Sequence, residues 1–260
     1  MFRNIIVRRP CRAVTGGIAS DPSLGKPVYE TALAQHEAYV RALTSCGTEV
    51  EILPADEDFP DSCFVEDTAV LTEHCAVLTN PGAPTRRGEA ALMLPVLRKY
   101  FPEDRIETIT APGTLEGGDV MQIGTHIYVG QSARTNGAGI RRLAEVLGKY
   151  GFTVTAVQLD GMLHLKTGVN YIGDNTLLAA GTFADRPEFE PYRKIIVPED
   201  EAYAANCIRV NDRVIMPAGY PKTEAKVRGA GFDVITADTS EFRRIDGGLS
   251  CLSLRFTGLL

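Results

Sequence analysis

Along these 260 residues a unit of two short strands joined by a tight turn, a Gly- or Pro-rich loop, a helix and a third strand recurs. Internal repetition of this kind constrains the fold more than any single motif. The first copy runs from Asp67: TAVLTEHCAVLT, the loop NPGAPTRRGE, the helical ALMLPVLRKY and the strand RIETI. The second begins at Asp119 with VMQIGTHIYVG, then QSARTNG, AGIRRLAEVLGKY and, after Gly151, FTVTAVQL. A third starts near Gly168 (VNYIGDNTLLAA), and a fourth near Asn206 (CIRVNDRVIMPAG, helix KTEAKVRGA, strand FDVITAD). The turns at Gly124-Thr125, Gly173-Asp174-Asn175 and Asn211-Asp212 separate apolar alternations of period two, which is the hairpin signature. Helical periodicity is expected after each pair.

The fifth copy is split. Leu249 to Phe256 reads as a strand without a continuation, whereas RNIIVRR near the start is a strand lacking its partner, followed by a helix over about Thr31–Ser45 and the strand EVEILP. Joining the two ends completes the module. A ring closed this way has no free sheet edge, so the expected fold is α/β: a five-bladed, pseudo-symmetric α/β propeller of β-β-α-β modules, its last blade closed by both termini, and a single domain over 1–260. A three-layer α/β sandwich explains the alternation of elements but not the split module.

Composition narrows the partners. With 44% hydrophobic and 23% charged residues the chain reads as globular, and a formal charge of −6 disfavours nucleic acid or an anionic membrane surface. The apolar stretch of MFRNIIVRRPCRAV is too short and wrongly flanked for a secretory signal, and no run approaches membrane-spanning length. Six cysteines show neither a C-x-x-C pair nor zinc-like spacing, so a cytoplasmic chain with free thiols and a small-molecule partner is expected.

The chemistry gathers at equivalent places, at or just before the first strand of successive modules. Glu66-Asp67 opens the first, Glu116-Gly-Gly-Asp119 the second, His164 precedes the third, and Cys251 is expected in the opening strand of the fifth. In a closed ring such positions converge, and Cys, His and carboxylates together follow the nucleophile, base and orienter logic of covalent catalysis. A lone Cys in LSCLSL more often packs in a core. The approach Asp246-Gly-Gly-Leu-Ser-Cys251 changes the odds, because glycines allow close backbone approach to a ligand. His164 alone among four histidines stands at a module opening. Two adjacent carboxylates amid apolar residues, Glu66-Asp67, call for a planar cation. Arg86-Arg87 and Arg134 in the loops add anion-binding forks. A ligand with an anion at one end and a cation at the other fits, such as an amino acid with a guanidinium tail.

Phe64-Val65-Glu66-Asp67 with Asp61, Pro81-Gly82-Ala83-Pro84-Thr85-Arg86-Arg87, Leu115-Glu116-Gly117-Gly118-Asp119, Ser132-Ala133-Arg134-Thr135-Asn136, Leu163-His164-Leu165-Lys166 and the segment Asp246–Cys251, in this order, resemble the dimethylarginine dimethylaminohydrolase family of the guanidino-modifying pentein superfamily. The resemblance spans essentially the whole chain. It implies hydrolysis of N-methylated L-arginines to citrulline and a methylamine, without a cofactor or metal, in a five-bladed propeller; a homodimer is compatible with it. By position it implies Cys251 as nucleophile, His164 as general acid and base, and Glu116 as the carboxylate holding the histidine side. Glu66 and Asp67 would bind the guanidinium, Asp61 the α-amino group, and Arg86 and Arg134 the α-carboxylate. Ile18, in the glycine-rich segment TGGIASDPSLG, matches a lid position that uses its backbone carbonyl, and Ile245 a further substrate-binding position. Arginine deiminases of the same superfamily carry His-x-Asp where this chain has His164-Leu165-Lys166, and an inserted helical region that is missing here. A non-catalytic amino-acid binder and a cysteine peptidase are weaker readings.

Overall fold

The structure, a computed structural model, describes residues 1–258. Strands β1 (Asn4–Arg8) and β2 (Glu49–Leu53) lie parallel, connected through the helix Tyr29–Ser45. The next strands come in threes: β3 (Ala69–Leu71), β4 (Ala76–Leu78) and β5 (Ile106–Thr108); β6 (Val120–Ile123), β7 (His126–Gln131) and β8 (Thr153–Gln158). They continue as β9 (Val169–Gly173), β10 (Thr176–Ala179) and β11 (Arg193–Ile196), then β12 (Ile208–Val210), β13 (Arg213–Pro217) and β14 (Asp233–Ala237). The last strand, β15 (Leu254–Phe256), returns to pair antiparallel with β1, Asn4 opposite Phe256 and Ile6 opposite Leu254. The result is five three-stranded sheets, including one that both chain ends share. In each, the middle strand is antiparallel to one neighbour and parallel to the other.

Turn chemistry and helix periodicity account for this order. Gly124, Asp174, Asn175 and Asn211 take φ between 50° and 59°, the left-handed backbone that tight hairpins require and that Gly, Asn and Asp tolerate best. The helices Arg87–Leu97, Gly137–Gly148 and Pro221–Gly229 make the crossovers to the parallel third strands. In Gly137–Gly148 the residues Ile140, Leu143, Val146 and Leu147 are buried, packed with Val120, Ile127 and Val129 of the adjoining sheet. Each large side chain so buried contributes roughly 1.5–3 kcal/mol.

Two expectations need correction. The third module has no crossover helix: the 3-10 turns Gly181–Asp185 and Pro187–Phe189 make the link. Gly181 at φ 54° and Pro187 interrupt an α-helix there, and buried Phe183 and Phe189 anchor the link instead. Cys251 also lies outside any strand. It occupies the 3-10 turn Ser250–Leu252, and the strand begins only at Leu254.

That turn is one of a set that periodicity did not reveal. Short helical turns precede the first strand in every module: Val65–Thr68, Gly117–Asp119, Leu165–Gly168, Glu199–Ala205 and Ser250–Leu252. They touch one another, Val65–Thr68 meeting both Gly117–Asp119 and Ser250–Leu252, and Leu165–Gly168 meeting Gly117–Asp119 and Glu199–Ala205. The first strands are neighbours too, β15 with β3, β6 with β9 and β9 with β12. Residues distant in sequence are thereby assembled around one place. Among the described residues, no helix is long and apolar enough to cross a membrane.

Candidate active site

Ile18, Asp61, Asp67, Arg86, Glu116, Arg134, His164, Ile245 and Cys251 line one small cavity, together with Phe64, Leu163, Asp246 and Gly247. All but one of the expected site residues are therefore brought together. The exception is Glu66, which does not line it. Its carboxylate lies behind the turn, with Oε1 2.6 Å from Lys166 Nζ and 2.8 Å from Arg255 Nη2. The cation expected to answer the Glu66-Asp67 doublet is, for Glu66, internal. A 3-10 turn advances about 120° per residue, so consecutive side chains leave it in different directions.

His164 and Glu116 form a close pair in the cavity, Nε2 to Oε2 at 2.7 Å, with Glu116 fully buried. Glu116 is oriented by the Ala83 N–H, which donates to Oε1, and by Arg134 Nη1 at 3.5 Å. Asp67 lies 3.9 Å from the same imidazole nitrogen, held by the Gly118 N–H on one oxygen and by Arg86 Nη1 on the other. A Cβ on Gly118 would come within 2.6 Å of His164 Nδ1, so glycine here lets the ring lie against the backbone. Asp119 accepts the Leu165 N–H and the Ser132 hydroxyl, tying the histidine segment to the second module.

These contacts decide protonation. Burial disfavours a charged imidazole, but the charge of Asp67, the Glu116 hydrogen bond and the charges of Asp119 and Glu116 outweigh it, raising the His164 pKa to about 9. Glu116 moves the other way: burial would raise its pKa, and the His164 contact overcomes this and holds it below the ordinary carboxylate range. His164 is thus an imidazolium at neutral pH. Burial, with the charges of Glu66 and Asp67, pushes the Cys251 thiol pKa upward, so it needs a nearby cation to become a thiolate.

The two arginines differ. Arg86 is buried and almost wholly engaged: Nε and Nη2 on Glu89, Nη1 on Asp67 at 2.6 Å, and Nη2 on the Phe64 carbonyl. Arg87 is outside the cavity lining and donates to the Pro81 carbonyl. Among the described residues the Arg134 side chain makes only the long Glu116 contact, and it is partly exposed, leaving its donors available.

Lys166 points away from the cavity into its pair with Glu66. The position at which a His-x-Asp motif has its carboxylate is this lysine. The glycines before Cys251 also serve packing more than the sequence implied. A Cβ on Gly247 would meet the Phe64 ring at 2.3 Å, and one on Gly248 the Asn206 side chain at 2.4 Å. Phe64 and Leu163, the apolar walls, carried no signal beyond their proximity to charged motifs.

The glycine-rich segment covers the cavity. The Ile18 N–H donates to Asp61, Ser20 donates its N–H and hydroxyl to Asp246 at 2.8 Å each, and Arg244 donates to the Leu24 carbonyl. Asp246 holds φ 57°, a left-handed conformation unusual outside glycine. The cavity is half open and offers about 30 Å³ of free volume, so displacement of this segment would enlarge it for an amino acid.

Among the described residues, Asp67, Glu116 and His164 offer atoms within 4.8 Å of one another, a set that could hold a metal ion. All three are already engaged with one another, Arg86, Gly118 and Ala83, so hydrogen bonding alone accounts for the arrangement.

A family model described as N,N dimethylarginine dimethylhydrolase, eukaryotic, matches residues 23–210. The N(G),N(G)-dimethylarginine dimethylaminohydrolase of Pseudomonas aeruginosa is 52% identical, over 98% of this chain and 100% of its own. A solved structure of a cysteine-to-serine mutant of the Pseudomonas aeruginosa enzyme, complexed with citrulline, superposes with a TM-score of 0.97 at 51% identity, over 98% of this chain and 100% of that one. A histidine-to-glycine dimethylarginine dimethylaminohydrolase, as its adduct with S-methyl-L-thiocitrulline, superposes at 0.96, with 51% identity and the same coverage.

Proposed function

The chain belongs to the dimethylarginine dimethylaminohydrolase family and hydrolyses N-ω-methylated L-arginine to L-citrulline and a methylamine, and we propose that Cys251, His164 and Glu116 carry that reaction. The observation that supports this most is the buried His164–Glu116 pair in one cavity with Cys251 and Asp67. The five sheets are read as blades around a pseudo-fivefold axis in a single domain, a reading supported by the contacts among first strands and among the opening turns.

A guanidinium is a poor electrophile because its charge is delocalised. Asp67 accepts its N–H groups and localises the charge, while the same cation lowers the thiol pKa, so Cys251 gives up its proton to solvent and becomes a thiolate as substrate binds. The sulfur attacks the central carbon and forms a C–S bond. His164, already protonated, delivers its proton to the methylated nitrogen as that C–N bond breaks, and a thiouronium remains on Cys251. With Nε2 on Glu116, Nδ1 is the nitrogen left for this exchange. The now neutral His164 takes a proton from water as the water oxygen attacks the same carbon; the C–S bond then breaks, the remaining hydroxyl proton passes to the departing sulfur, and citrulline leaves.

At the other end of the substrate, Asp61 and the backbone carbonyl of Ile18 receive the α-amino group, with Ile245 beside them in the cavity lining. Arg134 reads the α-carboxylate, and Arg86 supplies charge while fixing Asp67. Glu66 is not assigned to the substrate. With Lys166 withdrawn into its ion pair, an unmethylated guanidinium would leave N–H donors unanswered, at roughly 1–3 kcal/mol each. Methyl groups remove those donors and gain about 0.8 kcal/mol per buried carbon. Incubation with asymmetric dimethylarginine, monomethylarginine and arginine, assaying citrulline and amine together, tests this. Equal amounts of citrulline and dimethylamine, with arginine the poorest substrate, are expected; arginine as the best of the three would return the chain to a deiminase.

A further inference from the structure

The residue before the nucleophile is held more completely than a 3-10 turn requires. The Ser250 N–H donates to Asn206 Oδ1 at 2.8 Å; its hydroxyl donates to Glu66 Oε2 at 2.9 Å and accepts from Asn206 Nδ2 at 3.2 Å; its carbonyl accepts from Arg255 Nη1 at 3.1 Å. Every polar atom of Ser250 is thereby bonded to a side chain, and two of the three partners, Asn206 and Glu66, come from distant parts of the chain. The Cys251 N–H, by contrast, reaches only the Gly248 carbonyl, at 3.2 Å. Asn206 grips that side as well, because its amide lies where a Cβ of Gly248 would be. It also donates to the Lys166 carbonyl, two residues beyond His164, at 3.1 Å. Glu66 closes the assembly, receiving Lys166, Arg255 and Ser250 together.

We propose that Asn206, Ser250 and Glu66 are positioning residues that fix the Cys251 sulfur relative to His164 and the substrate carbon. This deepens the hydrolase reading and rests on it. None of the three lines the catalytic cavity; they act through the turn. Asn206 joins the Cys251 and His164 segments directly, so one amide sets the separation of nucleophile and acid. Attack geometry is steep in distance: a displacement of about 1 Å costs on the order of 100-fold in rate.

Kinetics on methylarginine and alkylation of Cys251 by iodoacetamide, read by peptide mass, test the proposal separately from the hydrolase reading. Ser250→Ala and Asn206→Ala are each expected to lower kcat about 10- to 100-fold with KM within about threefold of the parent. The double variant should fall no more than about twofold below the worse single one, because the residues act as a unit. Ser250→Thr, which keeps the hydroxyl, should recover most of kcat. The alanine variants should change the alkylation rate of Cys251 without moving its pH midpoint, whereas Glu66→Gln, which removes a neighbouring negative charge, should move that midpoint down. Losses of kcat that multiply in the double variant, kcat within about twofold of the parent in both singles, or loss of fold in every variant by circular dichroism would each overturn the positioning role. If the parent itself releases no citrulline, the hydrolase reading fails, while the alkylation arm still judges whether the cage governs the thiol.

Discussion

Two cavities meet the opening turns from different sides. One, of about 420 Å³, is lined by Glu66, Lys166, Cys207, Arg209, Ser253 and Arg255 among others; the other, of about 30 Å³, by Asp67, Glu116, His164, Arg134 and Cys251. The chain sends near neighbours to different cavities: Glu66 and Asp67, Lys166 and His164, Ser253 and Cys251. In the large cavity Glu66 is closed on Lys166 and Arg255, and Arg209 on Asp174, while Glu73 stands outside these pairs. In the small one Arg134 keeps free donors, and the hydrogen-bonded His164–Asp67–Glu116 charge cluster stands beside a thiol. Volume is therefore a poor guide to chemistry in this molecule. What distinguishes the site is incomplete internal pairing.

The sharpest contrast is between the two thiols. Cys251→Ser is expected to abolish citrulline release while leaving the circular dichroism spectrum intact, whereas Cys207→Ala, lining the large cavity, should keep turnover and lose at most a few kcal/mol of stability by denaturant titration. Comparable activity in the two variants would erase the distinction. The carboxylate doublet comes next. Asp67→Asn should lower kcat/KM by about 10- to 100-fold, the value of a charge-assisted hydrogen bond, with a rise in KM; Glu66→Gln should act on kcat and leave KM near its parent value. A raised KM in Glu66→Gln would return Glu66 to the substrate.

Arg134→Ala should weaken binding by roughly 1.5–3 kcal/mol, less for a substrate whose α-carboxylate is amidated, and equal losses with both substrates would count against carboxylate recognition. Arg86→Ala differs in kind: it leaves Asp67 and Glu89 buried without their cation, so thermal melting should record roughly 3–5 kcal/mol of lost stability. The smallest effect is a displacement of pH dependence. The proton on His164 is stabilised in the fold, so its contribution is complete below the ordinary imidazole value and is lost as pH rises through about 9. The alkaline limb of kcat should fall near there, and Glu116→Gln should bring it down, since it removes one anion facing the ring. An unmoved limb would show that another group sets it.

Much of this was legible in the sequence because local chemistry and tertiary position coincide. Gly124, Asp174, Asn175 and Asn211 announce hairpins by the backbone they tolerate, and the shared sheet of β1 and β15 followed from two incomplete modules. Cys251, His164, Glu116 and Asp67 were found by their equivalent places. The opening turns were hidden, because four of them have only three or four residues and the fifth, Glu199–Ala205, is broken at Glu201, too little for a helical period to register. With them went the sidedness of Glu66 and Asp67, which strand-like reading treats as one doublet. Asn206 was invisible for another reason: its role lies in reaching Ser250, 44 residues away, and nothing near it in the chain signals that contact.

Intact-mass spectrometry of a His164→Gly variant mixed with a methylated arginine tests the central claim most directly. Without its acid and base the protein should accumulate a covalent adduct that peptide mapping assigns to Cys251, with little citrulline released, while the Cys251→Ser protein remains unmodified under the same conditions. An unmodified His164→Gly protein that still completes many turnovers, or an adduct on any other residue, would contradict it.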